Sequence, residues 1–230
     1  MVILLLIVST IGLFLAAVLM NGRLRHWLIG LFLVMFVGMI GLLIANDNYH
    51  YGMVKAHRTN TVTLVTSAPV KTARALNVLL YQPLGNGSEK VYLYRTNTSQ
   101  TKPQAVPTKN AGTTLTQNAR VKNATLTVKT TRWQFRNSWQ HVLFAFAGEQ
   151  NTVAHRHYQF RLPQSWLALS TTQAKRLANI MKSPARQRAI KANVAKQMMQ
   201  ALKTRPNLSA TKKAQLEQAA TLKAIQAQLK

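Results

Sequence analysis

The chain has 230 residues, 30 Lys and Arg against four Asp and Glu, and a formal net charge of +26. It has no cysteine, which excludes a disulfide framework, a thiol nucleophile, an iron–sulfur cluster and a cysteine-based zinc site. With Asp47, Glu89, Glu149 and Glu217 as its only acidic side chains, it has little material for paired-acid catalysis or for a carboxylate-rich calcium or magnesium site.

Residues 1–20 read MVILLLIVSTIGLFLAAVLM, with Ser9 and Thr10 the only polar side chains. A bilayer core of ~30 Å needs about 20 apolar helical residues, so this run is long enough to span. Residues 27–45, WLIGLFLVMFVGMIGLLIA, make a second uncharged run. Asn21-Gly22-Arg23-Leu24-Arg25-His26 is too short for anything but a tight turn, so the two spans form an antiparallel hairpin. Gly12-x-x-x-Ala16 and Gly41-x-x-x-Ala45 have the small-residue spacing that lets membrane helices approach closely. A signal peptide would carry a basic segment ahead of the first run, and none is present. Arg23 and Arg25 flank both spans, whereas Lys55 and Arg58 stand further from the membrane. The positive-inside bias therefore puts the turn in the cytoplasm and both ends outside.

The next region reads as strands. Thr61–Thr66, Asn77–Gln82 and Lys90–Arg95 are rich in β-branched and aromatic residues. Pro83–Glu89 between the last two is turn-forming, which predicts a β-hairpin. Its Gly85-Asn86-Gly87-Ser88 lacks the lysine spacing and following helix of a phosphate-binding loop. Residues 96–118 are low in core formers and read as a mobile polar loop. Strands resume at Arg120–Arg136, where Leu126 and Val128 share one parity and Trp133 and Phe135 the other. The strand must therefore bulge, break or twist near Thr130-Thr131. Val142–Phe146 and Val153–Leu162 follow as strands, the latter with Tyr158, Phe160 and Leu162 on its buried face. Trp133, Phe135, Trp139, Phe144, Phe146, Tyr158 and Phe160 are the expected core aromatics.

Residues 164–230 read as a basic helical tail with 13 Lys and Arg against Glu217 alone. Ser170-Thr171-Thr172-Gln173 has capping-box form and opens a first helix with Ala174, Leu177, Ala178 and Met181 on its stripe. Ser183-Pro184 opens a second, striped by Ile190, Val194, Met198 and Leu202 and ended by Arg205-Pro206. Ser209 opens a third, with Leu216, Leu222, Ile225 and Leu229. These stripes can pack on the β region, on each other or on a partner.

Few residues carry chemistry. His155-x-His157 has chelating spacing, but no third ligand stands at a diagnostic distance, so no metal is expected. There is no G-x-S-x-G, and Ser209 of Ser209-Ala210-Thr211-Lys212 is better explained as a cap. No cofactor and no enzymatic activity are expected. Arg132-Trp133-Gln134-Phe135-Arg136 mixes basic and aromatic residues, as single-strand nucleic-acid platforms do, but fits a strand with one core face and one basic face. The charge is the main functional signal, because such a domain attracts polyanions. Arg132, Arg136, Arg156, Arg161, Lys175, Arg176, Arg186 and Arg188 are the candidate polyanion-binding residues, and Arg23 and Arg25 the topology determinants.

Tyr49-His50-Tyr51-Gly52-Met53, Leu79-Leu80-Tyr81-Gln82-Pro83-Leu84-Gly85, Glu89-Lys90-Val91-Tyr92-Leu93-Tyr94 and Thr130-Thr131-Arg132-Trp133-Gln134 carry a family resemblance. With the hairpin, they resemble a family of two-span membrane proteins of lactobacilli and related Gram-positive bacteria, classed as a domain of unknown function. The resemblance covers most of residues 1–163 and implies location and fold kinship, not mechanism.

The expected architecture is an α+β membrane protein. A transmembrane hairpin (1–20, turn 21–26, 27–45) precedes a small antiparallel β-rich domain (46–163) and the helical tail (164–230). The expected role is a membrane-anchored envelope protein whose basic domain binds anionic wall polymers or docks on an envelope partner. The alternative is an accessory subunit of a transporter or other membrane complex. The lipid bilayer is the one partner both readings share, and nucleic acid enters only if the topology is inverted.

Overall fold

The structure, a computed structural model, describes residues 1–67, 76–85, 89–118, 120–145, 150–204 and 209–229. The elements in chain order are α1 (Val2–Leu19), α2 (Arg23–Tyr49), β1 (Met53–Thr63), β2 (Asn77–Leu84), β3 (Glu89–Tyr94), β4 (Gln104–Ala105), β5 (Ala111–Asn118), β6 (Thr125–Phe135), α3 (Ser138–Leu143), β7 (Val153–Pro163), β8 (Trp166–Ser170), α4 (Thr171–Lys182), α5 (Pro184–Thr204) and α6 (Ala210–Leu229). Two four-stranded sheets have the orders β1-β6-β7-β5 and β4-β3-β2-β8. The chain divides into two compact units, Met1–Arg58 with Thr130–Arg156, and Thr59–Lys129 with His157–Lys230.

In the first unit α1 and α2 pair as the apolar runs dictate, and both are long and apolar enough to cross a membrane. Gly12 explains their close approach, because a Cβ there would stand 2.5 Å from the Phe32 ring. Ala16, one turn on, is buried. Gly41 of the second small-residue pair faces open space and plays no such part. The turn is tighter than residues 21–26. Met20, Asn21 and Gly22, the last at φ +82°, reverse the chain, so Arg23 and Arg25 lie in the first turn of α2. The α2 helix ends on His50 in the left-handed conformation, and the buried Asn46 amide donates to the Tyr51 carbonyl at 2.9 Å.

Val142–Leu143, expected in a strand, belong to the helix α3 instead. Asn137 and Gln140 form a reciprocal capping box at its start, which commits the segment to a helical turn. The Met1 ammonium group donates to the last α3 carbonyls, Val142 and Leu143, at 3.1 and 2.9 Å. A positive charge there offsets the carbonyl dipoles of the helix end. Phe146 lies outside the described residues.

In the second unit the predicted hairpin is present, with β2 and β3 antiparallel and Leu80 opposite Leu93. The tail does not begin as helix. Trp166–Ser170 forms β8, which pairs parallel with β2 and makes this sheet mixed rather than antiparallel. Val78 stands opposite Leu167, and Leu80 opposite Leu169. Val78, Leu80, Leu167 and Leu169 bury one face against Leu177, Ile180, Ile190, Leu222, Ile225 and Leu229 of α4, α5 and α6. The tail stripes thus pack on the sheet and on one another. Leu79 and Trp166 point the other way, into a cluster with Tyr92, Leu126, Tyr158, Phe160 and Leu162.

The α4 capping box forms as read. The Ser170 hydroxyl accepts from the Gln173 amide at 3.1 Å, and the Gln173 carbonyl oxygen accepts from the Ser170 amide at 3.0 Å. The α5 helix opens on Pro184 as expected. The Arg205-Pro206 stop lies outside the described residues.

The polar stretch 96–118 is not a loop throughout, because it contains β4 and the eight-residue β5. Ala111 and Leu115 of β5 pack on the aromatic cluster while Thr113 and Thr114 between them are exposed, so one sparse apolar parity suffices. β1 begins at Met53, earlier than Thr61, since an exposed edge strand needs no apolar alternation. β6 runs unbroken through Thr130-Thr131. Its parity change is resolved by packing: Leu126 and Val128 join the cluster of the second unit, while Phe135 stacks on Phe144 in the first. Tyr158, Phe160 and Phe144 are buried as expected, but Trp139 is 57% exposed. It follows its neighbour Ser138 onto the outer side of α3, where the capping box turns Gln140 inward.

Phe160→Ala, at a fully buried ring, is expected to cost about 3–5 kcal/mol of stability, whereas Trp139→Ala should stay within about 0.5 kcal/mol. Urea unfolding in mild detergent, followed by circular dichroism, reads both. Similar losses for the two variants would contradict this assignment of the core.

Candidate functional site

The basic residues singled out by sequence divide between the units. Arg23, Arg25, Arg132, Arg136 and Arg156 belong to the first, and Arg161, Lys175, Arg176, Arg186 and Arg188 to the second. In the first unit Arg132 is half-buried and its guanidinium donates to the Asn151 carbonyl at 3.5 Å, so part of its donor set is committed to the fold. Arg136 is exposed, and its backbone amide donates to the Gly52 carbonyl at 3.0 Å. Arg156 is half-buried on β7 and shares the parity of Tyr158 and Phe160. In the second unit all five candidates are exposed. Leu177, Ile180 and Ile190 turn inward on α4 and α5, and the helical period sends Lys175, Arg176, Arg186 and Arg188 outward.

The first unit also joins two of the motifs that carry the family resemblance. His50, at the end of α2, stacks on Trp133 of β6 with ring centroids 4.2 Å apart and planes 25° apart. The Lys55 ammonium lies over the Trp133 ring, 5.0 Å from its centroid. The Trp133 backbone is tied on both sides, donating to Thr152 O at 3.0 Å and accepting from Asn151 N at 2.9 Å. Nearby, Phe135 stacks on Phe144 at 5.7 Å and meets His141 edge-on at 6.2 Å. The end of α2 is thus clasped to its strands by aromatic contacts. Alternation along the strand groups Trp133 with the core aromatics, and nothing in the sequence pairs it with His50.

The histidines of β7 do not act together. His157 Nε2 is within 2.9 Å of the Thr114 hydroxyl, and His155 is exposed. Among the described residues no three His, Asp or Glu side chains are grouped closely enough to hold a metal ion. Arg95, which sequence reading passed over, is buried in the second unit, where its Nη2 donates to the Thr98 carbonyl at 2.8 Å. That bond anchors the turn in which Gln100 Oε1 accepts from Thr96 N and Asn97 N. Burial, and then the neighbouring Tyr81, push the Tyr92 hydroxyl above the ordinary tyrosine range. Tyr92 serves the core, its ring 5.0 Å from that of Phe160.

A family model described as a domain of unknown function, DUF4811, matches residues 21–177. That span runs from the turn before α2 into α4. No curated protein and no solved structure matches the chain.

The stack predicts a measurable coupling. In a double-mutant cycle of His50→Ala and Trp133→Ala, unfolding free energies should be non-additive by about 0.5–1.5 kcal/mol. Additive losses would mean that the two rings stabilise the unit independently.

Proposed function

The chain belongs to the DUF4811 family, and we propose that it is a non-enzymatic, membrane-anchored protein of the cell envelope whose basic domain binds anionic wall polymers. The observation that carries this reading is the pairing of two apolar helices with a charge of +26, of which 28 Lys and Arg lie beyond residue 45. The helices supply the anchor. Arg23 and Arg25 at the hairpin turn favour a cytoplasmic turn, which leaves the basic region outside. The exposed cations of α4 and α5 stand on helices whose inner stripes are already used by the core, so they are free for a polyanion. Binding of this kind releases counterions and weakens as salt rises.

Topology and salt dependence test the reading together. Single cysteines at Ser99 and Asn21, both exposed, introduce unique thiols into a cysteine-free chain. In intact cells a membrane-impermeant thiol reagent should label the Ser99→Cys variant and spare Asn21→Cys. The purified protein should lose affinity for an anionic polymer by about tenfold or more between 50 and 200 mM salt. Labelling at Asn21 alone would place the basic domain in the cytoplasm and bring nucleic acid and the inner lipid surface forward. Affinity indifferent to salt would remove the electrostatic part.

One observation favours the alternative, an accessory subunit of a membrane complex. Gly30, Gly38 and Gly41 lie within about 80° on one side of α2, and none has an atom within 4 Å of a Cβ built there. Such a smooth side lets another membrane helix approach closely. Under this reading, mild-detergent purification recovers a stoichiometric membrane partner, and Gly41→Leu releases it. Recovery of the protein alone would count against it.

A further inference from the structure

A groove of about 350 Å³ in the second unit lies between the β7–β8 turn and α6. Its polar lining is mostly uncharged. Gln164 and Ser165 come from the turn, Gln215 and Gln218 from α6, and Lys122 from the segment before β6, with Leu222 forming the apolar floor. In a chain with 30 Lys and Arg, the described residues of this groove include one cation and four neutral hydrogen-bonding residues. Among the described residues no acidic side chain lines it.

Both walls are held from behind. The Gln117 amide donates to the carbonyls of Pro163, Gln164 and Trp166 at 3.3, 3.4 and 2.7 Å, which fixes the turn. Leu222, Ala224, Ile225 and Leu229 bury the inner side of α6 and leave Gln215 and Gln218 exposed. The groove is therefore in place before any ligand arrives.

Its chemistry selects among polyanions. A carboxamide both donates and accepts hydrogen bonds, as a hydroxyl group does, whereas an ionised phosphodiester only accepts. A bare phosphate chain would use the amide NH2 groups and leave their carbonyl oxygens unmatched. A hydroxyl-bearing chain can satisfy both, and the single lysine suits one phosphate at a time. We propose that this groove is a subsite for a polyol phosphate chain, which reads the hydroxyl groups between the phosphates. The inference rests on the polyanion-binding function and names its ligand class. The α6 wall lies beyond residue 177, so half of the subsite stands outside the part of the chain that the family model matches.

The test uses the full chain in detergent with two probes of equal phosphate number, a poly(glycerol phosphate) oligomer and linear polyphosphate, at one salt concentration. The wild type should bind the glycerol phosphate oligomer several-fold more tightly. The double variant Gln215→Ala/Gln218→Ala should lose about tenfold for that oligomer, as two neutral hydrogen bonds warrant, and clearly less for polyphosphate, which uses only the donor half of each amide. Both side chains are exposed, so the variant keeps the fold, and circular dichroism verifies this. Equal wild-type affinity for the two probes, or an equal change for both in the variant, would overturn the subsite and leave polyanion binding standing. If neither probe binds the wild type, the polyanion reading falls and the subsite with it.

Discussion

Three successive residues of β2, Val78, Leu79 and Leu80, are all buried. A strand buried on both faces must be covered on both, and this requirement organises the second unit. Val78 and Leu80 face α4, α5 and α6, while Leu79 faces the aromatic cluster around Phe160. β8 alternates in the same way, with Trp166 on the Phe160 side and Leu167 and Leu169 on the helical side. The parallel pairing of β2 with β8 sets this register. A one-residue slip would exchange the two faces and strand Leu79 against the helices. The tail helices therefore complete the core of the unit and are not an appendage to it.

The same requirement decides where charge is displayed. Each tail helix spends one narrow stripe on the core, and helical geometry leaves Lys and Arg of α4 and α5 on the other sides. Lys175 and Arg176 are exposed on the helix whose Leu177 and Ile180 are buried. The basic surface is thus built on rigid elements. The amide-lined groove beside α6 departs from that surface in chemistry, which is why it suggests recognition of hydroxyl groups and not charge alone.

In the first unit, aromatic contacts and chain ends do the joining. His50 lies in the left-handed conformation at the end of α2, which brings its ring onto Trp133. Gly52, at φ +81°, then redirects the chain into β1, and its carbonyl accepts from Arg136. The sequence marks both segments as distinctive, but they are about 80 residues apart and nothing in their spacing pairs them. A long apolar helix is thereby clasped to strands without burying charge.

The sequence by itself determined what depends on local chemistry. Two apolar runs make two helices joined by a short turn, Ser170 and Gln173 cap α4, and the alternation of Tyr158, Phe160 and Leu162 makes β7. Tertiary structure decided what depends on a distant partner. β5 is polar, and β8 is five residues long, so neither forms a strand without its neighbour in the sheet. Val142 and Leu143 have strand propensity, but the capping box and the Met1 ammonium group hold them in α3. The candidate cations were legible one by one, because charge is a property of each residue. Their division between two units was not, and neither was the groove formed by Lys122, Gln164 and Gln218, because residues so far apart in sequence become neighbours only when the core closes.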